Sequence, residues 1–427
     1  MSARFEGIGL VSHDVVVVGG GLSGLVAAIR LAQAGRDVAV FATGHGGLPL
    51  APAVIDVLGY GEGRVTAPGR ELPRFLAARP DHPLARIDPG ALAAACAWFL
   101  ELAAPLGYQG TVERNLFLPT AVGALRPTAM VPETMAAGDL AQGGSVLIVG
   151  IHGYRDFYPQ LLAANLAAAP SPFGSRIDAR GVEVVLPGNA GSLRPQLLAR
   201  RLEQPQVRAD LASSIRSELA HEERVGLPAV LGLEHAREVW SDLQDAVGRP
   251  LFEIPTVPPS VPGVRLQALL TRSLRRLGGR LVTGAAVVGG EGVGGRLASV
   301  RVASSAREVE VRADHFVLAT GGVATGGIVV ERGGGAREVV LGLPTTAVGL
   351  QRDPSSGYFS PRAGDRLGLA VDRLLRPVDR QGQPVYANLH AAGAILEGAV
   401  PWREKSGNGI SLATGYAAAT AILGGSQ

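Results

Sequence analysis

Val15 to Val18 form a short apolar run of β-branched residues, the pattern of a strand buried on both faces. Leu25 to Ala34 carry good helix formers, Gly35 stops them, and Val38 to Phe41 resume as a second apolar run. Further on, Ala91 to Ala104 predicts a helix apolar around most of its circumference and therefore buried. Ser145 to Ile151 reads as a strand and Asp156 to Ala168 as the helix behind it. The alternation continues with a strand at 182–186 and helices at 197–202 and 210–221, and stretches at 229–233 and 236–247 carry it on. Such βα alternation predicts a unit with its own sheet.

Pro255 to Pro262 has four prolines in eight residues and fits neither helix nor central strand, so the chain is expected to leave that unit there. A helix over 263–277, a strand over 280–283, a β-meander over 285–312 and a parallel strand at Phe316 to Gly322 follow. A last strand and turn is read at Leu389 to Gly398. The fold class is α/β: a discontinuous Rossmann-like domain with a β-meander, plus an inserted α/β domain. The expected divisions are 1–60, 263–330 and 364–427 for the first domain, 61–262 for the insertion, and 331–363 for a loop-rich connector with a mobile Gly-Gly-Gly tip at 333–335.

Between the first strand and helix stand Gly19, Gly20, Gly21, Leu22, Ser23 and Gly24, with the G-x-G-x-x-G spacing at 19, 21 and 24. The first glycine permits the tight turn, the second leaves no Cβ between backbone and ligand, and the third lets the helix lie close to its strand. The free N–H groups at the helix start make a phosphate or pyrophosphate site. Dinucleotide folds place a carboxylate after the second strand to hold the adenosine ribose. Here Phe41, Ala42, Thr43 and Gly44 follow, with no carboxylate. Either Thr43 or backbone groups hold that ribose, as in FAD, or the ligand lacks the adenosine half, as FMN does.

Two distant stretches point to the same kind of ligand. Thr320, Gly321 and Gly322 end a strand with small residues that admit a flat ring. Gly393 lies in the last turn, and Gly407, Asn408 and Gly409 open a terminal helix. The positive end of that helix would stabilise charge on a reduced flavin.

Composition narrows the picture further. Lys and Arg exceed Asp and Glu by three, the basic residues are scattered, and aromatics make up 5%, a poor match to a nucleic-acid surface. The single cysteine, Cys96, excludes internal disulfides and any multi-cysteine metal or iron–sulfur site, and no metal is expected. Residues 406–427 are uncharged, but their Asn, Ser, Thr and Gly favour a buried terminal helix over a membrane span. No secretory signal precedes the first strand, because Arg4, Glu6 and Asp14 interrupt any apolar region.

Across nearly its whole length the chain resembles the B-type subunit of anaerobic glycerol-3-phosphate dehydrogenase. The resemblance rests on residues 18–24, Gly123 to Thr128, Val149 to Phe157, Pro255 to Leu266, and Gly327 to Leu343. It implies oxidation of sn-glycerol 3-phosphate to dihydroxyacetone phosphate with electrons passed to a quinone. It also implies a flavin, FMN favoured and FAD the alternative. Two partners are implied as well: a catalytic, FAD-binding one of the A type and an iron–sulfur, membrane-anchoring one of the C type. The expected location is the cytoplasmic side of the membrane, held there by a partner. On this reading His45, His152 and His390 are candidates for the base that takes the substrate's hydroxyl proton. Arg126, Arg265 and Arg332 are candidates for its phosphate. Two other readings are a stand-alone FAD enzyme of the fumarate-reductase kind and a non-catalytic assembly role.

Overall fold

The computed structural model describes residues 11–169, 171–188, 193–303, 308–332, 335–346, 360 and 363–425. The chain begins with Val11–Val18 (β1), Leu22–Gln33 (α1) and Val38–Ala42 (β2). Helix α1 opens on Gly21, inside the glycine run and earlier than the apolar pattern indicates, because small residues let the chain coil as soon as it leaves the strand. Helix Pro89–Leu102 (α2) is capped by the Asp88 carboxylate, which accepts from the Gly90 N–H at 2.7 Å. Leu116–Pro119 (β3) and Leu125–Thr128 (β4) form an antiparallel hairpin.

The next strands are Gly144–Ile151 (β5), Ile177–Val184 (β6), Arg224–Pro228 (β7) and Leu251–Ile254 (β8). They make a parallel sheet in the order β8-β7-β5-β6, as the βα alternation requires. Helix Val261–Arg276 (α3) then leads to Arg280–Thr283 (β9), Ala286–Val293 (β10), Arg296–Ala303 (β11) and Glu308–Leu318 (β12). Leu389–Ala391 (β13) and Gly407–Gly424 (α4) complete the elements that matter here.

The first sheet runs β9-β2-β1-β12-β11-β10, with β13 also paired to β12. Strands from both ends of the chain meet in it, so this domain is discontinuous. The meander's third strand and the separate strand expected at 316–322 are one element. β12 runs antiparallel to β11 over 308–312 and parallel to β13 over 316–318, with β1 along its other edge. A long strand can serve both halves because each edge needs only a partner for its backbone groups.

Two large cores correspond to the two sheets. The second core starts at Phe117, later than the boundary read at 61. Val65, Leu72, Leu92, Phe99 and Tyr108 are buried in the first core instead, where α2 covers α4. After the proline stretch the chain packs against the loop that follows β2. Ser260 donates its N–H to the Pro49 carbonyl at 2.7 Å, and its hydroxyl caps α3 by accepting from the Gly263 N–H at 3.1 Å.

Helix α4 lies against α1 so closely that a Cβ on Gly415 would stand 2.5 Å from the Ser23 carbonyl oxygen. That contact explains an uncharged helix: it is buried in protein. Among the described residues no helix is long and apolar enough to cross a membrane. Most of the connector expected at 331–363 lies outside the described residues, as do Gly333 and Gly334.

Candidate functional site

The carboxyl ends of β1, β2 and β12 and the start of α1 enclose a cleft of about 330 Å³. It lies where ligands sit in open α/β sheets, outside the strand ends. Gly19, Gly20, Gly21, Leu22, Ser23 and Thr43 line it, as do Thr320, Gly321 and Asn408 from the distant stretches. Among the described residues no charged side chain and no histidine lines it. An anion there is met by the first-turn N–H groups of α1, which have no partner within the helix.

The glycine spacing has a measurable basis. Gly19 adopts φ +116°, and a Cβ on it would lie 2.2 Å from the Ala319 carbonyl oxygen. A Cβ on Gly24 would fall 2.0 Å from the Gly19 carbonyl oxygen, so this residue sets the helix close to its strand rather than lining the cleft. Gly21 is different: a Cβ there meets nothing within 4 Å and projects into open space. Thr320 adds a buried hydroxyl with no hydrogen-bond partner. A backbone cradle left clear at Gly21 and an unused hydroxyl at the far wall fit a bound flavin nucleotide.

The remaining predicted cofactor residues support this cleft from behind. Gly322 backs onto Ala394, and Gly393 onto the Ser23 side chain. The Gly393 N–H donates to Thr414 Oγ1 at 2.9 Å, tying the last turn to α4. Gly407 stands in the first turn of α4, and Gly409 donates its N–H to the Asp56 carbonyl at 2.9 Å. The sequence reading missed Gly46, Leu48, Ala51 and Ser411, which complete the walls. For Leu48 and Ala51 no sequence signal was available, since a lining role for apolar side chains leaves no chemical signature.

The candidate catalytic residues do not converge on the cleft. His45 is exposed on the loop after β2; its neighbours Gly44 and Gly46 line the cleft while its own carbonyl accepts from Gln267 Nε2 at 3.2 Å. His152 lies in the second domain beyond β5, exposed and paired with Glu183 at 3.4 Å. His390 is buried within β13, where Nδ1 bonds the Leu374 carbonyl at 2.8 Å, and burial pushes its imidazole down to about 4.

The three arginines separate in the same way. Arg265 is buried in a forked pair with Glu253, at 2.6 and 2.9 Å, and donates twice more to the Gly232 carbonyl. Four of its five N–H donors are committed to these two partners. Arg332 is exposed and apart from the cleft. Arg126, on β4, pairs with the buried Asp56 carboxylate yet keeps a buried Nε without a partner. Desolvation drives the Asp56 carboxyl above its ordinary value, against the pull of Arg126 and Lys405.

Cys96 is buried, and burial pushes its thiol up to about 12. Among the described residues no group of three His, Cys, Asp or Glu could hold a metal ion.

Comparison with known proteins bears on the cleft directly. Residues 14–410 match the family described as FAD binding domain, so the site is that of a flavoprotein. The preference for FMN, drawn from the resemblance, finds no support in that match. The chain is 35% identical to the probable B-type subunit of anaerobic glycerol-3-phosphate dehydrogenase from Halobacterium salinarum, over 96% of this chain and 98% of that protein. It is 31% identical to the B-type subunit of the same enzyme from Pectobacterium atrosepticum, with the same coverage. The Vibrio cholerae protein of that name is 30% identical over 97% of each chain. With a flavin cradle in place and end-to-end likeness at this level, the chain belongs to the FAD-binding flavoproteins and, among them, to the family of B-type subunits of anaerobic glycerol-3-phosphate dehydrogenase.

Proposed function

We propose that this chain binds FAD in the cleft at α1 and serves as a flavoprotein subunit that oxidises sn-glycerol 3-phosphate to dihydroxyacetone phosphate. The observation that carries the reading is the cleft itself. It is lined by backbone and small residues from α1, β12 and α4, and the matching family binds FAD. FAD is preferred to FMN because the cleft continues past the α1 start along Phe41, Thr43 and Gly47, the side where an adenosine half would lie.

When bound, the flavin supplies a two-electron acceptor for the hydride on the substrate's hydroxyl-bearing carbon. The chain's own part is to hold and shield it. The α1 N–H groups would take the pyrophosphate, Gly21 would give it room, and the lack of charged side chains among the described lining residues lowers the local dielectric. The α4 N-terminus, with Asn408 in the wall, faces the same cleft and favours negative charge there.

With one buried cysteine in the chain, iron–sulfur clusters that carry electrons onward to quinone belong to a partner. A larger FAD-binding partner of the A type and a membrane-anchoring partner of the C type fit that need, with this chain held peripherally at the cytoplasmic face.

The test is to purify the chain, release its chromophore by denaturation, and identify it by absorbance and mass. FAD supports the reading; FMN would leave the fold but overturn the preference. Gly21→Val is expected to abolish flavin retention, since a branched side chain fills the phosphate space, and full occupancy in that variant would contradict the placement. A flavin-free chain that still assembles with its partners would replace this reading with an assembly role.

A further inference from the structure

A second cavity, of about 230 Å³, lies beside the cofactor cleft. This is many times the roughly 10–15 Å³ that one water needs. The two share a wall. Ala51 lines the cleft and Pro52 and Val54 line the cavity, while Asn408, itself a cleft residue, donates from Nδ2 to the Val54 carbonyl at 2.7 Å. The hairpin β3–β4 forms another side and the proline stretch at 255–257 a third, so the cavity lies between the two domains. Sites between a cofactor domain and a second domain are where small substrates are commonly held.

Its lining is mostly apolar, with three threonine hydroxyls from Thr120, Thr128 and Thr256, and one charged side chain, Arg126. Asp56 lies behind that arginine, and the chain's single lysine, Lys405, is close enough to act on both charges. Two cations against one carboxylate leave a net positive charge. The pair is also incompletely bonded: Arg126 Nε and Asp56 Oδ1 are buried without partners. Leaving buried polar atoms unpaired is costly, so the pair is not a self-sufficient structural contact.

We propose that this interdomain cavity is the substrate site, with Arg126 binding the phosphate of a small phosphorylated polyol and the apolar wall receiving its carbon chain. Asp56 is a positioning residue that aims the guanidinium. The inference rests on the flavin-dehydrogenase reading above and adds where its substrate sits. Residues 51–54 stand between the cavity and the cofactor cleft and make the two sites neighbours. The apolar lining strengthens the arginine's hold on the anion.

The experiment is calorimetric titration of the flavin-loaded chain with sn-glycerol 3-phosphate, inorganic phosphate and a water-soluble quinone. Flavin content is read in every variant. Wild type is expected to bind both phosphate compounds, and Arg126→Gln to weaken each by about tenfold or more while keeping its flavin. Arg312→Gln, an exposed arginine on β12 paired with Glu310, should change neither. Should Arg126→Gln fail to fold, Val122→Glu at the exposed rim brings a repelling carboxylate to the mouth and is expected to weaken both anions as well. Asp56→Asn should lower affinity less than Arg126→Gln, and Arg126→Lys should restore part of it.

Unchanged affinity in both Arg126→Gln and Val122→Glu would overturn the site, as would a flavin-loaded wild type that binds neither phosphate compound. Quinone binding lost in Arg126→Gln without any phosphate binding would also overturn it. Phosphate bound and lost in Arg126→Gln, with no affinity for glycerol 3-phosphate, would keep the anion site and remove the substrate reading. Absence of flavin would strike the functional reading first and separately.

Discussion

Two arginine–carboxylate pairs stand at the seam between the domains, and they are built differently. Arg265 and Glu253 are fully satisfied. The guanidinium forks onto both carboxylate oxygens, which also accept from Thr134 Oγ1 at 2.7 Å and from the Leu231 N–H at 2.8 Å. Arg126 and Asp56 make one contact and leave a buried atom unused on each side. A complete network fixes the arrangement of α3 against β8, whereas an incomplete one keeps bonding capacity in reserve. From sequence the two arginines look equivalent as phosphate ligands. Their partners decide that one is structural and the other is available.

Cutting the satisfied pair should have the largest effect. Glu253→Gln leaves the buried Arg265 charge without its counter-ion and is expected to cost about 3–5 kcal/mol, read by chemical denaturation. A loss below about 1 kcal/mol would show that the pair does not hold the seam.

A third buried polar group sharpens the contrast, because desolvation acts on it with only one bond to offset it. His390 titrates near 4 when folded, against an ordinary 6.5. Between those values the unfolded chain binds a proton that the folded chain refuses. Stability from this group is therefore complete above pH 6.5 and declines as pH falls toward 4, by about 3 kcal/mol in all. His390→Gln should flatten that part of the profile of Tm against pH, and an unchanged slope would refute the assignment.

The unsatisfied pair predicts a smaller change. Asp56→Asn keeps the shape and removes a charge that burial already disfavours, so it should shift stability by less than about 1 kcal/mol in the same denaturation assay. A loss as large as that of Glu253→Gln would erase the distinction between the pairs. The smallest effect concerns Cys96, whose thiol should be inert to an aromatic disulfide reagent at pH 8 in the native protein and react only on unfolding.

Local chemistry determined much of this protein. Short-range steric rules act within a few residues, so the glycine run at 19–24, the β-branched strand before it and the helix behind it identify a nucleotide cradle from sequence alone. The proline stretch likewise marks a break in the strand pattern, since proline has no backbone N–H to donate to a central strand. Only the tertiary structure decided which distant residues meet. It fused the meander with the second parallel strand, assigned residues 65–108 to the first core, and brought Thr320 and Asn408 to one cleft with the glycines. It also removed His152, His390, Arg265 and Arg332 from that cleft. A charged or titratable side chain carries no local mark of its partner. Its role follows from burial and from the atoms across the fold, which are set by long-range packing.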